Sequence, residues 1–137
     1  MKEAGLKEFL AQRPSIEEEM ERLDLAAMDP AKTIYVMHSP PFHTGLDISD
    51  AGIEVGSKAL RASIEKYQPA LSLHGHVHEA PVASFTYARR LGRTVVVNPG
   101  ASVNRLQVVT AGLNGEVLLQ HTVYGSAEGN KLREVPD

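Results

Sequence analysis

Four of the six histidines in this sequence come directly after or within a few residues of short apolar runs. His38 follows the run at 33–37, and His76 and His78 follow the run at 70–73. In open α/β sheets, ligands bind in the crevice beyond the carboxyl ends of the strands, so we expect these three side chains to face one crevice. Because neutral imidazole binds Mn, Fe, Co, Ni and Zn, the three histidines predict a site for a divalent transition metal.

The spacing of His76 and His78 favours two adjacent ions over one. On an extended chain, residues two apart point to the same side at about 6–7 Å. Gly75 before them lets the backbone turn sharply and approach an ion closely. The alternatives without a metal are purely structural. His76 and His78 would be turn histidines held by backbone partners, and His38 an ordinary histidine at a strand end.

Other polar side chains near these runs have two readings each. His43 could meet a substrate phosphate or simply be a solvated loop residue. Asp47 could orient substrate, although loop aspartates often cap turns. His74 is expected to pack away from the metal side, and His121 is assigned no role. The arginines at 89–93 could steer an anionic substrate or form a charged hairpin turn.

The elements before and around the histidines predict one βαβ unit. Residues 1–31 are expected to be a helical lead-in, with a capping box formed by Ser15 and Glu18. Residues 32–78 are expected to run strand, loop, helix and strand, with Ser57 capping the helix. The two strands of such a unit are parallel neighbours, so their carboxyl ends meet at the same edge of the sheet.

The rest of the chain predicts β-hairpins at 79–124 and a polar tail at 125–137 that frays. The Asn-Gly pair at 114–115 is the strongest two-residue hairpin signal. The sequence at 98–100, Asn-Pro-Gly, predicts a turn. The expected strands span 82–87, 94–97, 105–111 and 116–124.

Composition excludes several classes of protein. The 137 residues fit a single domain, and a net charge of −3 gives no broad footprint for nucleic acid or an acidic membrane. Cysteine is absent, which excludes disulfides and thiolate metal sites. No apolar stretch approaches membrane-spanning length and no signal peptide is evident, so we expect a cytoplasmic protein without membrane contact.

Several motifs resemble those of the calcineurin-like metallophosphoesterases, and the resemblance covers roughly residues 33–120. The matching motifs, in family order and spacing, are Met-His-Ser-Pro-Pro at 37–41, Gly-His-Val-His-Glu at 75–79 and Val-Asn-Pro-Gly at 97–100. Gly-Leu-Asp at 45–47 and Val-Gly-Ser-Lys at 55–58 resemble one bacterial and archaeal branch of that family.

The resemblance implies a fold and an activity. The fold would be a single partial domain over residues 1–137, the C-terminal half of a four-layer α/β/β/α metallophosphoesterase sandwich. The activity would be that of a hydrolase, a phosphatase or phosphodiesterase in which two metal ions activate a water. Manganese is expected first, with iron, zinc, cobalt or nickel as alternatives.

The resemblance also assigns residues. His38 and His76 would bind one ion and His78 the other. Gly75 and the loop that carries His43 and Asp47 would line the cleft for a phosphate-ester substrate. No residue is assigned as catalytic.

The family's Asp-X-His, Gly-Asp-X-X-Asp and Gly-Asn-His motifs do not occur in this sequence. Three imidazoles without a carboxylate cannot hold two dications that share an anionic bridge, so we expect at most one weakly bound ion. Without the strands of the other half, an apolar edge would lie open. We therefore expect self-association or pairing with a complementary N-terminal half.

Three hypotheses for function follow. The first is a metal-dependent phosphoesterase, present here as its C-terminal portion. The second is a truncated or degenerate, non-catalytic module of the same fold that binds metal or a partner. The third is another histidine-based metallohydrolase that resembles the family by convergence.

Overall fold

The computed structural model describes residues 3–136 as a mixed α/β fold with two sheets, so the ends of the predicted lead-in and tail (residues 1, 2 and 137) lie outside the described residues. The helices are α1 (Glu3–Ala11), α2 (Ile16–Glu21), α3 (Lys58–Tyr67) and α4 (Ala80–Ser84). The strands are β1 (Ile34–Val36), β2 (Leu71–Leu73), β3 (Ala88–Leu91), β4 (Thr94–Val97), β5 (Val109–Leu113), β6 (Val117–His121) and β7 (Gly125–Glu128). Short 3₁₀ helices span Leu25–Ala27, Pro30–Lys32 and Gly129–Lys131.

The first sheet has the strand order β1-β2-β4-β3. β1, β2 and β4 are parallel, and β3 is antiparallel to β4. The helix α3 crosses over between β1 and β2, and the Ser57 side chain caps it by accepting from the Leu60 N–H at 3.2 Å. The predicted βαβ unit with parallel neighbouring strands is therefore confirmed.

Each face of the first sheet contributes to a separate core. On one face, Tyr35 and Val96 pack with Ile64 of α3. On the other face, Leu71 and Val95 share a core with residues of the second sheet, Leu119 among them. The second sheet has the strand order β5-β6-β7, and its neighbouring strands are antiparallel. Both faces of the central strands β2 and β4 are therefore covered, as expected for short, mostly apolar runs.

The strand predicted at 82–87 is wrong. Residues 80–84 form α4, with Pro81 in its first turn, where the fixed φ of proline and its missing N–H suit a helix. Phe85 ends the helix in the left-handed conformation (φ 58°). The hairpin strand β3 starts later, at Ala88, and contains Arg89 and Arg90 rather than presenting both in a turn.

The tail predicted to fray from residue 125 is also different in the structure. β7 pairs with β6, with Leu119 opposite Ala127. Val135 is buried and its N–H donates to the Arg90 carbonyl at 2.8 Å. Residues 125–135 thus find backbone hydrogen-bond partners on β6 and β3, which the composition of the tail does not reveal. The hairpin between β5 and β6 turns at the predicted Asn-Gly pair, but its loop has three residues, 114–116, because Leu113 pairs with Val117.

The lead-in contains two short helices and then 3₁₀ turns. The capping box is confirmed: the Glu18 N–H donates to Ser15 Oγ at 3.2 Å, and the Ser15 N–H donates to Glu18 Oε2 at 2.7 Å. β1, which follows, is an edge strand of the first sheet. Its side chains of Ile34 and Val36 are exposed, Val36 at 75%.

Candidate metal centre

Three parallel strands end at one edge of the first sheet, and each leads into a polar segment. β1 leads to His38, β2 to residues 74–78, and β4 to Asn98. Backbone pairing continues past the strand ends, because the Gly75 N–H donates to the His38 carbonyl at 3.0 Å. The parallel arrangement is what brings these segments together.

His38 and His76 are in direct contact. The Nδ1 atom of His76 lies 3.1 Å from the Nε2 atom of His38, and the rings meet edge to face with centroids 5.0 Å apart. With metal–nitrogen bonds of about 2.0–2.1 Å, two nitrogens 3.1 Å apart subtend about 100° at a shared ion. That angle lies between the octahedral and tetrahedral values, and both side chains are exposed. The pair therefore fits two ligands of one ion.

His76 lies in a sharp turn, so the extended stretch expected at 76–78 is wrong. Its φ is 62°, and the Val77 N–H donates to the Gly75 carbonyl at 2.7 Å, which closes a three-residue turn around it. A histidine in the left-handed region is strained, and such strain concentrates at functional sites. The sharp bend predicted at Gly75 is thus made by His76 itself.

His78, two residues after His76, is exposed. Among residues 3–136, no group of three or more histidine, aspartate or glutamate side chains lies close enough to hold a metal ion. The structure therefore brings together two of the three predicted metal ligands and does not bring the third to them.

His74, two residues before His76, is buried. Its Nδ1 atom lies 2.7 Å from the Ser39 carbonyl oxygen, so Nδ1 carries the proton and donates. Its Nε2 atom then accepts from the Ser72 hydroxyl at 2.7 Å. Burial lowers the pKa of His74 to about 4, although hydrogen bonds with the Ser39 and Met37 backbone oppose that shift. His74 is thus a neutral packed residue that holds the start of the loop after β1.

Asp47, predicted to bind substrate, is fully buried and bonded to its own loop. Its Oδ2 accepts from the N–H groups of His43 at 3.0 Å and Gly56 at 3.1 Å, and its Oδ1 accepts from the Thr44 N–H at 3.2 Å. Three backbone donors on one buried carboxylate satisfy it and close the loop. In this structure Asp47 organises the loop and presents no free oxygen to a ligand.

The other two predicted substrate residues lie at the edge of the site. His43 is half-buried in the left-handed conformation (φ 57°), and its Nδ1 lies 2.7 Å from Glu54 Oε1. Gly75 lies against the histidine pair, since a Cβ on it would be 3.9 Å from His38 Nδ1. That distance is an ordinary contact, so close approach does not require glycine at this position.

Two residues without a predicted side-chain role connect the site to the rest of the fold. Asn98 is completely buried, and its amide donates to the Leu46 and Val77 carbonyls, both at 2.9 Å. His121 is also buried, and its Nε2 donates to the Pro99 carbonyl at 2.8 Å. The position of Asn98, directly after a buried strand and before Pro-Gly, is the sequence signal that could have indicated its role. Nothing in the sequence around His121 signals its role.

An apolar cleft of about 280 Å³ opens beside His38. Met20 of α2, Met37 and Leu60 of α3 contribute to its walls. A wider depression of about 770 Å³ lies over β5, β6 and β7 and has no histidine in its lining. We associate the smaller cleft with the histidine pair because it is the one that His38 lines.

Comparison with known proteins does not identify a family. No family model matches the sequence, and no curated protein or solved structure is significantly similar to the chain. Within residues 3–136, none of the helices has the length and apolar character needed to cross a membrane. Inferences about function therefore depend on the residues and their geometry.

Proposed function

We propose that His38 and His76 are two ligands of a divalent metal ion in a phosphoesterase centre, of which this chain forms the C-terminal portion. The observation that carries the proposal is the 3.1 Å contact between their ring nitrogens at the carboxyl ends of parallel strands. A divalent ion held there supplies Lewis-acid chemistry, polarising a phosphate ester and lowering the pKa of a water. The order and spacing of the motifs that resemble those of metallophosphoesterases support the same activity.

The surrounding residues keep the pair in place and shape its approach. His74 fixes the Ser39 carbonyl next to His38. Asp47 closes the loop that leads to α3. The apolar cleft beside His38 offers room for the organic part of a phosphate ester. The exposed His78 is free to serve a second ion in a more complete centre.

The centre needs further ligands, which we propose come from another polypeptide segment. Imidazoles alone do not supply the anionic bridge that two dications require. β1 is an edge strand, and its exposed Ile34 and Val36 lie directly before His38. A parallel strand added beside β1 would have its carboxyl end next to the histidine pair, because the carboxyl ends of parallel strands lie at the same end of the sheet. A complementary N-terminal half or a second copy of the chain is the proposed partner.

Hydrolysis of bis-p-nitrophenyl phosphate tests this function. The purified, chelator-treated chain is assayed with added Mn²⁺, beside His76→Ala and the exposed control Lys32→Ala. Turnover that requires Mn²⁺ and is lost only in His76→Ala supports a working phosphoesterase. Turnover that is equal in all three proteins comes from a contaminant and rejects the activity of this chain alone.

The alternative is a non-catalytic module that binds metal or a partner. The observation that favours it is the exposed histidine pair with no carboxylate close enough to form a cluster among residues 3–136. Calorimetric binding of Mn²⁺ that depends on His76, without hydrolysis by the chain, is the result expected for this alternative.

A further inference from the structure

We propose that Asn98 and His121 are positioning residues that hold the turn at 75–77 in the conformation that brings His76 to His38. This inference rests on the proposed function of the histidine pair. Neither residue reaches the pair itself. Asn98 acts through the carbonyl of Val77, and His121 acts through the carbonyl of Pro99, just after β4.

Asn98 uses its whole side chain as a three-way clamp. Its Nδ2 donates to the carbonyls of Leu46 and Val77, and its Oδ1 accepts from the Gly100 N–H at 3.0 Å. A fully buried amide is stable only when its donors and acceptor are paired, and here both N–H groups and the oxygen are paired. Asn98 thereby joins three segments: the loop after β1, residues 74–78 (the histidine segment) and the Asn-Pro-Gly turn at 98–100.

The bond to Val77 acts on the strained turn. The Val77 N–H closes the turn on the Gly75 carbonyl, while the Val77 carbonyl is held by Asn98. Both polar groups of the residue after His76 are therefore fixed. The left-handed conformation of His76 (φ 62°) is strained and persists only where neighbouring contacts enforce it. Asn98 provides such a contact.

His121 holds the same region from the second sheet. Its Nδ1 accepts from the N–H groups of Val123 at 2.9 Å and Tyr124 at 3.2 Å, so the proton lies on Nε2. That Nε2–H donates to the Pro99 carbonyl, one residue after Asn98. Tyr87 packs against the ring with centroids 4.8 Å apart. His121, at the end of β6, thus fixes the peptide between Pro99 and Gly100, which comes directly after Asn98.

The far side of the histidine segment is tied to the same turn. The Ala101 N–H donates to the His78 carbonyl at 3.1 Å. A Cβ at Gly100 would lie 2.7 Å from that carbonyl oxygen, so the turn and the histidine segment are in close contact. Displacement of the Asn-Pro-Gly turn would consequently displace the histidines, and metal affinity should depend on the second sheet.

The test compares His121→Gln with His121→Leu. Both variants lose the ring packing and the acceptor at the Nδ1 position for Val123 and Tyr124, so these losses are common to the two. Only glutamine keeps an N–H near the Nε2 position that can donate to Pro99. Mn²⁺ affinity is measured by calorimetry, and the ring ¹⁵N shifts of His38 and His76 are measured by NMR in the metal-free proteins.

We expect His121→Leu and Asn98→Ala to weaken Mn²⁺ binding by about tenfold or more, as for other residues that orient metal ligands. His121→Gln should bind close to wild type. Equal affinities for the glutamine and leucine variants would overturn the inference. Wild-type protein that binds no Mn²⁺ would reject the proposed metal centre instead. The His76 ring shifts would then decide the positioning role, which requires a change in the leucine variant and little change in the glutamine variant.

Discussion

The Nδ1 atom of His76 lies 3.1 Å from the Nε2 atom of His38 although 38 positions separate the two residues in the chain. The parallel pairing of β1 with β2 accounts for this contact, because both histidines follow the carboxyl ends of adjacent strands. His78, only two residues further on, lies beyond a sharp turn. The three histidines of the motifs are therefore not equivalent.

We expect His38→Ala and His76→Ala each to remove one of two ligands and to weaken Mn²⁺ or Zn²⁺ binding at least about tenfold. His78→Ala should leave the binding of this first ion near wild type. Isothermal titration of chelator-treated proteins measures all three affinities. An equal loss in His78→Ala would show that His78 joins the pair in solution.

Acidification should destabilise the fold through His74. Its folded pKa is about 4, below the ordinary value of 6.5, so the unfolded chain binds the proton first as pH falls. This contribution to stability is complete above pH 6.5, decreases as pH falls from 6.5 towards 4, and then levels off. The loss is about 2 kcal/mol between pH 7 and pH 5 and roughly 3 kcal/mol in total.

Urea unfolding at pH 7 and pH 5 measures that loss for wild type and His74→Gln. Glutamine does not titrate, so the pH-dependent difference should shrink by about 2 kcal/mol in the variant. The remaining histidines contribute alike to both proteins. An unchanged difference would mean that His74 does not titrate with a depressed pKa.

Asp47→Asn should destabilise the loop between β1 and α3. The amide group would oppose a backbone N–H that now donates to a carboxylate oxygen, and at least one buried donor would lose its acceptor. We expect a loss of roughly 3 kcal/mol in the free energy of unfolding. The exposed Asp50→Asn is the matched control and should stay within about 0.5 kcal/mol of wild type. Similar values for the two variants in urea unfolding would contradict the role assigned to Asp47.

Gly56→Ala should be destabilising for steric reasons. A Cβ there would lie 2.7 Å from the backbone N and Cα of Phe42 and from Asp47 Oδ2, so the loop would have to shift. The expected cost is about 1–3 kcal/mol. Gly112→Ala is the control, because its Cβ would make only ordinary contacts, from 3.9 Å, with Leu118. A melting temperature for Gly56→Ala equal to that of the control would show that the loop yields freely.

Val36→Lys should reduce association at the edge of the first sheet. Charged residues, lysine above all, discourage strand addition at exposed edges. Val103→Lys is the matched control, since Val103 is fully exposed in a loop away from any strand edge. Light scattering at tens of micromolar should show a lower mass for Val36→Lys than for wild type and the control. A wild-type monomer at that concentration would reject self-association and leave a complementary chain as the proposed partner.

Local patterns in the sequence were sufficient to predict much of the scaffold. Ser15 with Glu18 and Ser57 cap helices as their positions indicate. The apolar runs before His38 and His74 form parallel neighbours, and the Asn-Gly pair turns the hairpin between β5 and β6. Each of these features depends on residues a few positions apart or on one short apolar run, so the sequence contains the relevant physics.

Tertiary structure decided the features whose partners are distant in the chain. β4 pairs in parallel with β2, and β7 pairs with β6. The backbone groups of a strand bond to the strand that tertiary packing places beside it, and local sequence does not specify which strand that is. The left-handed turn at His76, the clamp of Asn98 and the bond from His121 to Pro99 likewise depend on groups that only the packed fold assembles. The sequence by itself determined which histidines follow strand ends. The parallel pairing of β1 with β2 decided that His38 and His76 meet, and the turn at His76 leaves His78 apart. Hydrogen bonds between segments distant in the sequence, not local preference, set that path of the chain.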